Sequence, residues 1–91
     1  MICRKCLVGG RVQGVFYRAT AARRAQELAI TGYARNLPDG RVEILACGED
    51  DPVQAFIKWL WIGSSASKVT SVEVIEERAD AAQGHTGFRS T

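Results

Sequence analysis

The 91-residue chain has one histidine, two prolines, three cysteines and no long apolar run. Each scarcity excludes something. Cys3-Arg4-Lys5-Cys6 is a CxxC with no second pair, and His85 lies far from it in sequence, so a four-ligand zinc site lacks its ligands. Two unrelated thiols on an early strand are the plainer reading. Three cysteines cannot close the disulfide framework of a small secreted scaffold. The most apolar stretch, Phe56 to Gly63, is interrupted by Lys58 and falls far short of the roughly 18 residues of a membrane helix. Met1-Ile2-Cys3-Arg4-Lys5 carries no export signal, which makes the cytoplasm the expected compartment. Twelve basic against ten acidic residues leave a formal charge of +2, too weak to point to nucleic acid.

What is present is an ordinary globular composition, 46 % hydrophobic and 24 % charged. The length suits one small domain, residues 1–91. So small a core cannot hold two substrate-sized pockets, and an enzyme of this size needs a compact site built largely from backbone.

Cys3 to Val12 is a candidate first strand, with Gly9 and Gly10 marking its end or a close backbone approach. Phe16 to Ala29 is rich in good helix formers, and Tyr17, Ala21, Ala25 and Leu28 recur at helical spacing. Thr31 to Arg35 reads as a second strand and Leu37-Pro38-Asp39-Gly40 as a turn. Arg41 to Cys47 alternates, with Val42, Ile44 and Ala46 on one face and Glu43, Leu45 and Cys47 on the other, as in a half-buried strand. Asp50-Asp51-Pro52 opens a second helix by an aspartate cap, and Val53, Phe56, Ile57 and Leu60 form its core stripe. Lys68 to Glu77 is a further strand, Ala79 to Gly84 a loop, and Gly87-Phe88-Arg89 a short last strand. The order β-α-β-β-α-β predicts an α+β, ferredoxin-like split βαβ sandwich. Its antiparallel sheet should run 4-1-3-2, with two helices on one face and the short extra strand at the end. The fold by itself assigns no activity.

Gly10-Arg11-Val12-Gln13-Gly14-Val15-Phe16-Tyr17-Arg18 joins the first strand to the first helix. Glycines allow a sharp turn there, and successive N–H groups in such a turn can converge on an anion. The helix start adds unpaired N–H groups and a partial positive charge. Arg18, in the first turn, opposes the helix dipole, a conflict that an anionic ligand removes; guanidinium fits phosphate bidentately. No Gly-Lys-Ser/Thr follows, so this is not a Walker A loop, and the glycine spacing is wrong for a dinucleotide. A tight strand–helix turn with a solvated arginine is the alternative. Asn36 ends strand two at the sheet edge that also carries the 10–18 loop. It is either a turn residue bonding its own backbone or an amide holding a water beside a bound anion.

These residues resemble the two signatures of the acylphosphatase family. Gly10 through Arg18 looks like the first; Gly32-Tyr33-Ala34-Arg35-Asn36, then Gly40-Arg41-Val42-Glu43 and Gly48, looks like the second. The match spans nearly the whole chain. Departures are Tyr17, where the family more often has Phe, and Cys47, where an acid is common. The resemblance implies metal-independent, cofactor-free hydrolysis of small acyl phosphates to carboxylate and inorganic phosphate by a monomer. It implies that Arg18 and the backbone amides of Arg11, Val12, Gln13, Gly14, Val15 and Phe16 hold the phosphoryl oxygens, or a phosphate or sulfate anion. Asn36 would orient the attacking water. Positioning and charge stabilisation suffice for this chemistry, because the carboxylate is already a good leaving group.

Trp59 and Trp61 are expected to cover the sheet or form a surface patch, His85 to be solvated, and Glu73, Glu76 and Glu77 to line a solvated strand. Strands one and three should be antiparallel neighbours. That sets Cys3 and Cys47 on the helix-free face, where they can pair, although the cytosol opposes the bond. Cys6 should be a buried free thiol. An RNA-binding sheet is disfavoured because strand one has no aromatic. A domain of a carbamoyl-transfer protein would continue beyond Thr91 into further domains.

Overall fold

The structure, a computed structural model, describes residues 1–91. Its sheet is built outward from β1 (Ile2–Arg11), which pairs antiparallel with β3 (Val42–Gly48) on one side and β4 (Lys68–Glu77) on the other. β2 (Thr31–Asn36) adds antiparallel to β3, and β5 (Phe88–Ser90) adds parallel to β2. The order is β4-β1-β3-β2-β5, the expected ferredoxin-like arrangement with a C-terminal strand. Helices α1 (Tyr17–Glu27) and α2 (Asp50–Ile62) complete it.

Side-chain alternation builds the core. Cys6 and Val8 of β1, Ala34 of β2, and Val42, Ile44 and Ala46 of β3 meet Tyr17, Ala21 and Ala25 of α1 and Val53, Phe56 and Leu60 of α2. Tyr17, Ala21 and Ala25 stand at i, i+4 and i+8, a narrow stripe whose alanines let the helix lie close to the sheet. Trp59 packs half-buried against this core, stacked on Phe56, while Trp61 is exposed. Cys6 is a buried free thiol, and burial pushes its pKa up to about 12.

The sequence-based boundaries shift in four places. First, α1 begins at Tyr17, because Phe16 takes a left-handed conformation (φ 62°) outside the helix. It ends at Glu27. Ala29, also left-handed (φ 56°), donates its N–H to the Gln26 carbonyl, and Ile30 donates to that of Ala25, a Schellman ending without the usual glycine. Second, Glu49 rather than Asp50 occupies the α2 cap position, and no side chain caps the helix. Asp50 and Asp51 sit in the first turn, where their charge still complements the helix dipole. Third, β3 is buried along its whole length instead of on one face. A short 3-10 helix, Ala79–Ala82, replaces the expected loop; Ala81, Ala82 and Tyr33 cover Cys3, Leu45 and Cys47 on the face opposite the helices. Fourth, a register shift opposite Gly9 and Gly10 breaks the alternation of β4, so that Val69 and Val72 both pack on the core. Gly10 permits the bulge: a Cβ there would collide with the Lys68 carbonyl.

On the helix-free face Cys3 stands directly opposite Cys47, and the structure joins them as a disulfide. Nearby, Glu43 is 8 % exposed and accepts hydrogen bonds from the Tyr33 hydroxyl (2.7 Å) and the Arg35 guanidinium (2.9 Å). Burial alone would raise the Glu43 pKa, but these bonds and the charges of Arg35 and Lys5 outweigh it and hold the carboxyl below its ordinary range. Desolvation, then the bond to Glu43, pushes Tyr33 up to about 12. His85 is half-buried against the Tyr33 ring, centroids 5.8 Å apart, rather than freely solvated. Glu76 and Glu77 face Arg4 and Lys5 across the β1–β4 pair at 3.7 and 3.2 Å.

Candidate functional site

The segment between β1 and α1 is held in place by its flanks. The Gln13 side-chain nitrogen donates to the carbonyls of Leu37 and Arg41, both at 2.9 Å, tying the loop to the β2–β3 turn. Ser64, just beyond α2, donates its hydroxyl to the Val15 carbonyl at 2.7 Å. The Phe16 carbonyl accepts from both the backbone N–H (3.0 Å) and the hydroxyl (2.8 Å) of Thr20. Below the loop, Tyr17 is fully buried. Its hydroxyl donates at 2.8 Å to the Leu60 carbonyl, one of the acceptors left open by the end of α2. The Tyr17 departure from the family pattern is thereby explained, since the extra oxygen has a partner.

The carbonyls of Val15 and Phe16 are engaged; the amides are free. None of the backbone N–H groups of Val12, Gln13, Gly14, Val15 and Phe16 donates a hydrogen bond within the molecule. Two left-handed residues flank one that is not: Gly14 at φ 72°, Val15 without positive φ, Phe16 at φ 62°. Such alternation turns successive N–H groups toward one point and makes an anion-binding concavity. Gly14 meets the requirement without strain. Phe16 does not, because a non-glycine residue held in this region costs about 1–3 kcal/mol. The first turn of α1 adds its own N–H groups and contains no acidic residue.

Arg18 leaves that first turn half-buried, with no acidic side chain as partner. One of its terminal nitrogens donates to the Thr91 carbonyl, so the residue after β5 orients the guanidinium. Four N–H groups of the fork stay available. Asn36 is exposed at the end of β2, opposite Val42, and its side-chain amide bonds to nothing in the protein. Its neighbour Leu37 is the residue tethered by Gln13. The fold thus brings Asn36 to the edge that carries the loop, without placing it in the wall of the groove described next.

Two surface grooves exist. The smaller, about 270 Å³, is lined by Val12, Gly14, Phe16, Tyr17, Arg18, Ala19 and Ser90 and lies at the loop. The larger, about 550 Å³, includes Tyr33, Arg35, His85 and Arg89 and shares no residue with the loop. The smaller groove joins the loop, with its free amides, to Arg18. No three His, Cys, Asp or Glu side chains gather into a metal-holding cluster, and no helix is long and apolar enough to cross a membrane.

No local sequence signal marks the side chain of Gln13, or Ser64, Thr20 and Thr91, as parts of the site. Their roles depend on which carbonyl each reaches, and Ser64 and Thr91 lie 49 and 73 residues from their partners.

Fold and loop together define a ferredoxin-like α+β protein with a run of unpartnered backbone amides at its first strand–helix junction. A family model described as acylphosphatase matches residues 4–90. The acylphosphatase of Chromohalobacter salexigens is 56 % identical over 71 residues, covering 78 % of this chain and 79 % of its own length. That of Alkalilimnicola ehrlichii is 50 % identical over 86 residues, 94 % of this chain and 93 % of its own. The crystal structure of acylphosphatase from Bacillus subtilis superposes with a TM-score of 0.93 at 38 % identity, over 100 % of this chain and 99 % of that one. The chain belongs to the acylphosphatase family, and its activity is the hydrolysis of acyl phosphates.

Proposed function

We propose that the amides of Arg11 to Phe16 and the guanidinium of Arg18 hold the phosphoryl group, while Asn36 orients the water that attacks phosphorus. The water oxygen bonds to phosphorus and the bond from phosphorus to the acyl oxygen breaks. The electron pair leaves with the carboxylate, and the water proton passes to the phosphate. Charge spread over the phosphoryl oxygens in the transition state is met by N–H dipoles and one cation already in position. No acid is needed for a carboxylate leaving group, and neither metal nor cofactor enters the reaction. The observation that carries this reading is the run of unpartnered amides from Val12 to Phe16 beside an arginine that pairs with no acidic side chain. All three parts come from one chain, which suits a monomer.

The compartment is tied to the state of Cys3 and Cys47. A cytoplasmic enzyme, as the sequence suggests, would hold them mostly reduced, whereas the joined pair leaves the compartment open.

The test is hydrolysis of benzoyl phosphate, with EDTA present, by Arg18→Ala and Asn36→Ala. Arg18→Ala should lower kcat/KM by about 100-fold or more and weaken inhibition by inorganic phosphate. Asn36→Ala should lower kcat and leave phosphate inhibition in place. Folded variants that both keep the full rate overturn the reading.

A further inference from the structure

The grip on the phosphate consists of backbone and one arginine, and nothing in it addresses the acyl end. One side chain at the site is otherwise unexplained. Phe16 is 81 % exposed, the most exposed large hydrophobic residue of the chain, so its ring gains little from packing. Its backbone is left-handed at φ 62°, a conformation that glycine adopts freely and a bulky residue resists. Both observations make Phe16 a poor choice for folding. Yet its conformation is enforced: Thr20 grips its carbonyl twice, and Ser64 grips that of Val15. Phe16 lines the same small groove as Arg18, two residues along the chain.

We propose that Phe16 is the specificity-determining residue for the acyl group. Its ring is the platform on which the acyl end of the substrate lies while Arg18 and the loop amides hold the phosphate. The enzyme therefore selects acyl phosphates whose acyl group is aromatic or extended and apolar over acetyl phosphate. The strained backbone turns an aromatic ring out over the groove, and bound substrate supplies the contact that the fold withholds. This inference rests on the phosphate being held at the 10–18 loop.

The experiment is kcat/KM for benzoyl phosphate and for acetyl phosphate in the wild type, Phe16→Gly, Phe16→Asn and Phe16→Trp. Gly and Asn tolerate the left-handed conformation, so both variants keep the loop while removing the ring. Loss through the loop itself affects both substrates and cancels in their ratio. The ratio should fall about 3- to 10-fold in Phe16→Gly and Phe16→Asn, as expected for one aromatic contact, mainly through KM. It should be kept in Phe16→Trp. An unchanged ratio in both ring-less variants overturns the proposal, even if both rates fall together. Arg18→Ala run beside them separates the two readings. Full activity of Arg18→Ala on both substrates sinks the phosphate reading, while the Phe16 ratio is read independently of it.

Discussion

Gln13 reaches out of the loop between β1 and α1 and donates to the carbonyl of Leu37, the residue next to Asn36, at 2.9 Å. A second bond from the same nitrogen goes to Arg41, across the turn. One side chain therefore ties the loop proposed to hold the anion to the strand end that carries Asn36. Phosphoryl transfer depends on such placement, because a displacement of an ångström can cost about 100-fold in rate. Gln13→Glu keeps the shape and loses the donor, leaving a carboxylate facing two carbonyls. It should lower stability by about 1–3 kcal/mol and kcat/KM by about 10- to 100-fold. Urea unfolding and steady-state kinetics on one preparation check this; wild-type kcat/KM in the folded variant would remove Gln13 from the positioning role.

The Cys3–Cys47 bond joins residues 44 apart and lies on the helix-free face, under the 79–82 turn. Its expected effect is on stability alone. Reduction, or Cys3→Ala with Cys47→Ala, should lower unfolding free energy by about 2–4 kcal/mol, with benzoyl phosphate turnover unchanged at room temperature. Alkylation without reductant, read by mass spectrometry, shows whether the bond forms. Complete alkylation of Cys3 in air-oxidised protein would mean that it does not.

Glu43 contributes stability that depends on pH. Its folded pKa lies below the ordinary 4.5, so the folded protein binds fewer protons than the unfolded chain in that region. The contribution is fully present above the ordinary value and is lost as pH falls through the depressed one. Acid unfolding should therefore steepen below about pH 4.5. Glu43→Gln should flatten that limb, and equal slopes in wild type and variant would assign the acid lability to other groups. The exposed Asp39–Arg41 pair also lowers a carboxyl pKa, but solvent screens it.

Ala29 occupies the left-handed position that glycine ordinarily fills at the end of a helix. Ala29→Gly should raise stability by about 0.5–1 kcal/mol, visible as a higher urea midpoint. A midpoint that stays put or falls would show that α1 ends without strain at this residue.

Much of the architecture was legible in the residues. Apolar periodicity in α1, α2 and β1 to β4 is a local property, and the alternating order of helix and strand leaves few right-handed arrangements. Opposition of Cys3 and Cys47 followed from strand parity and antiparallel pairing. Glycines at 10 and 14 marked the loop, and Arg18 at a helix start marked its sign.

What the tertiary structure decided is where the unpaired groups go. The left-handed turns at Phe16 and Ala29 carry no glycine to announce them, and distant hydrogen bonds hold the first. β3 is buried on both faces because a turn nearly forty residues later in sequence crosses it. The proposed oxyanion receptor is a set of amides, which every residue but proline possesses. Residue identity alone cannot show which amides remain unpartnered, because that depends on the hydrogen bonds of the whole fold. The sequence by itself determined the scaffold and the charge at the site; long-range packing decided the shape of the loop and the exposure of Phe16.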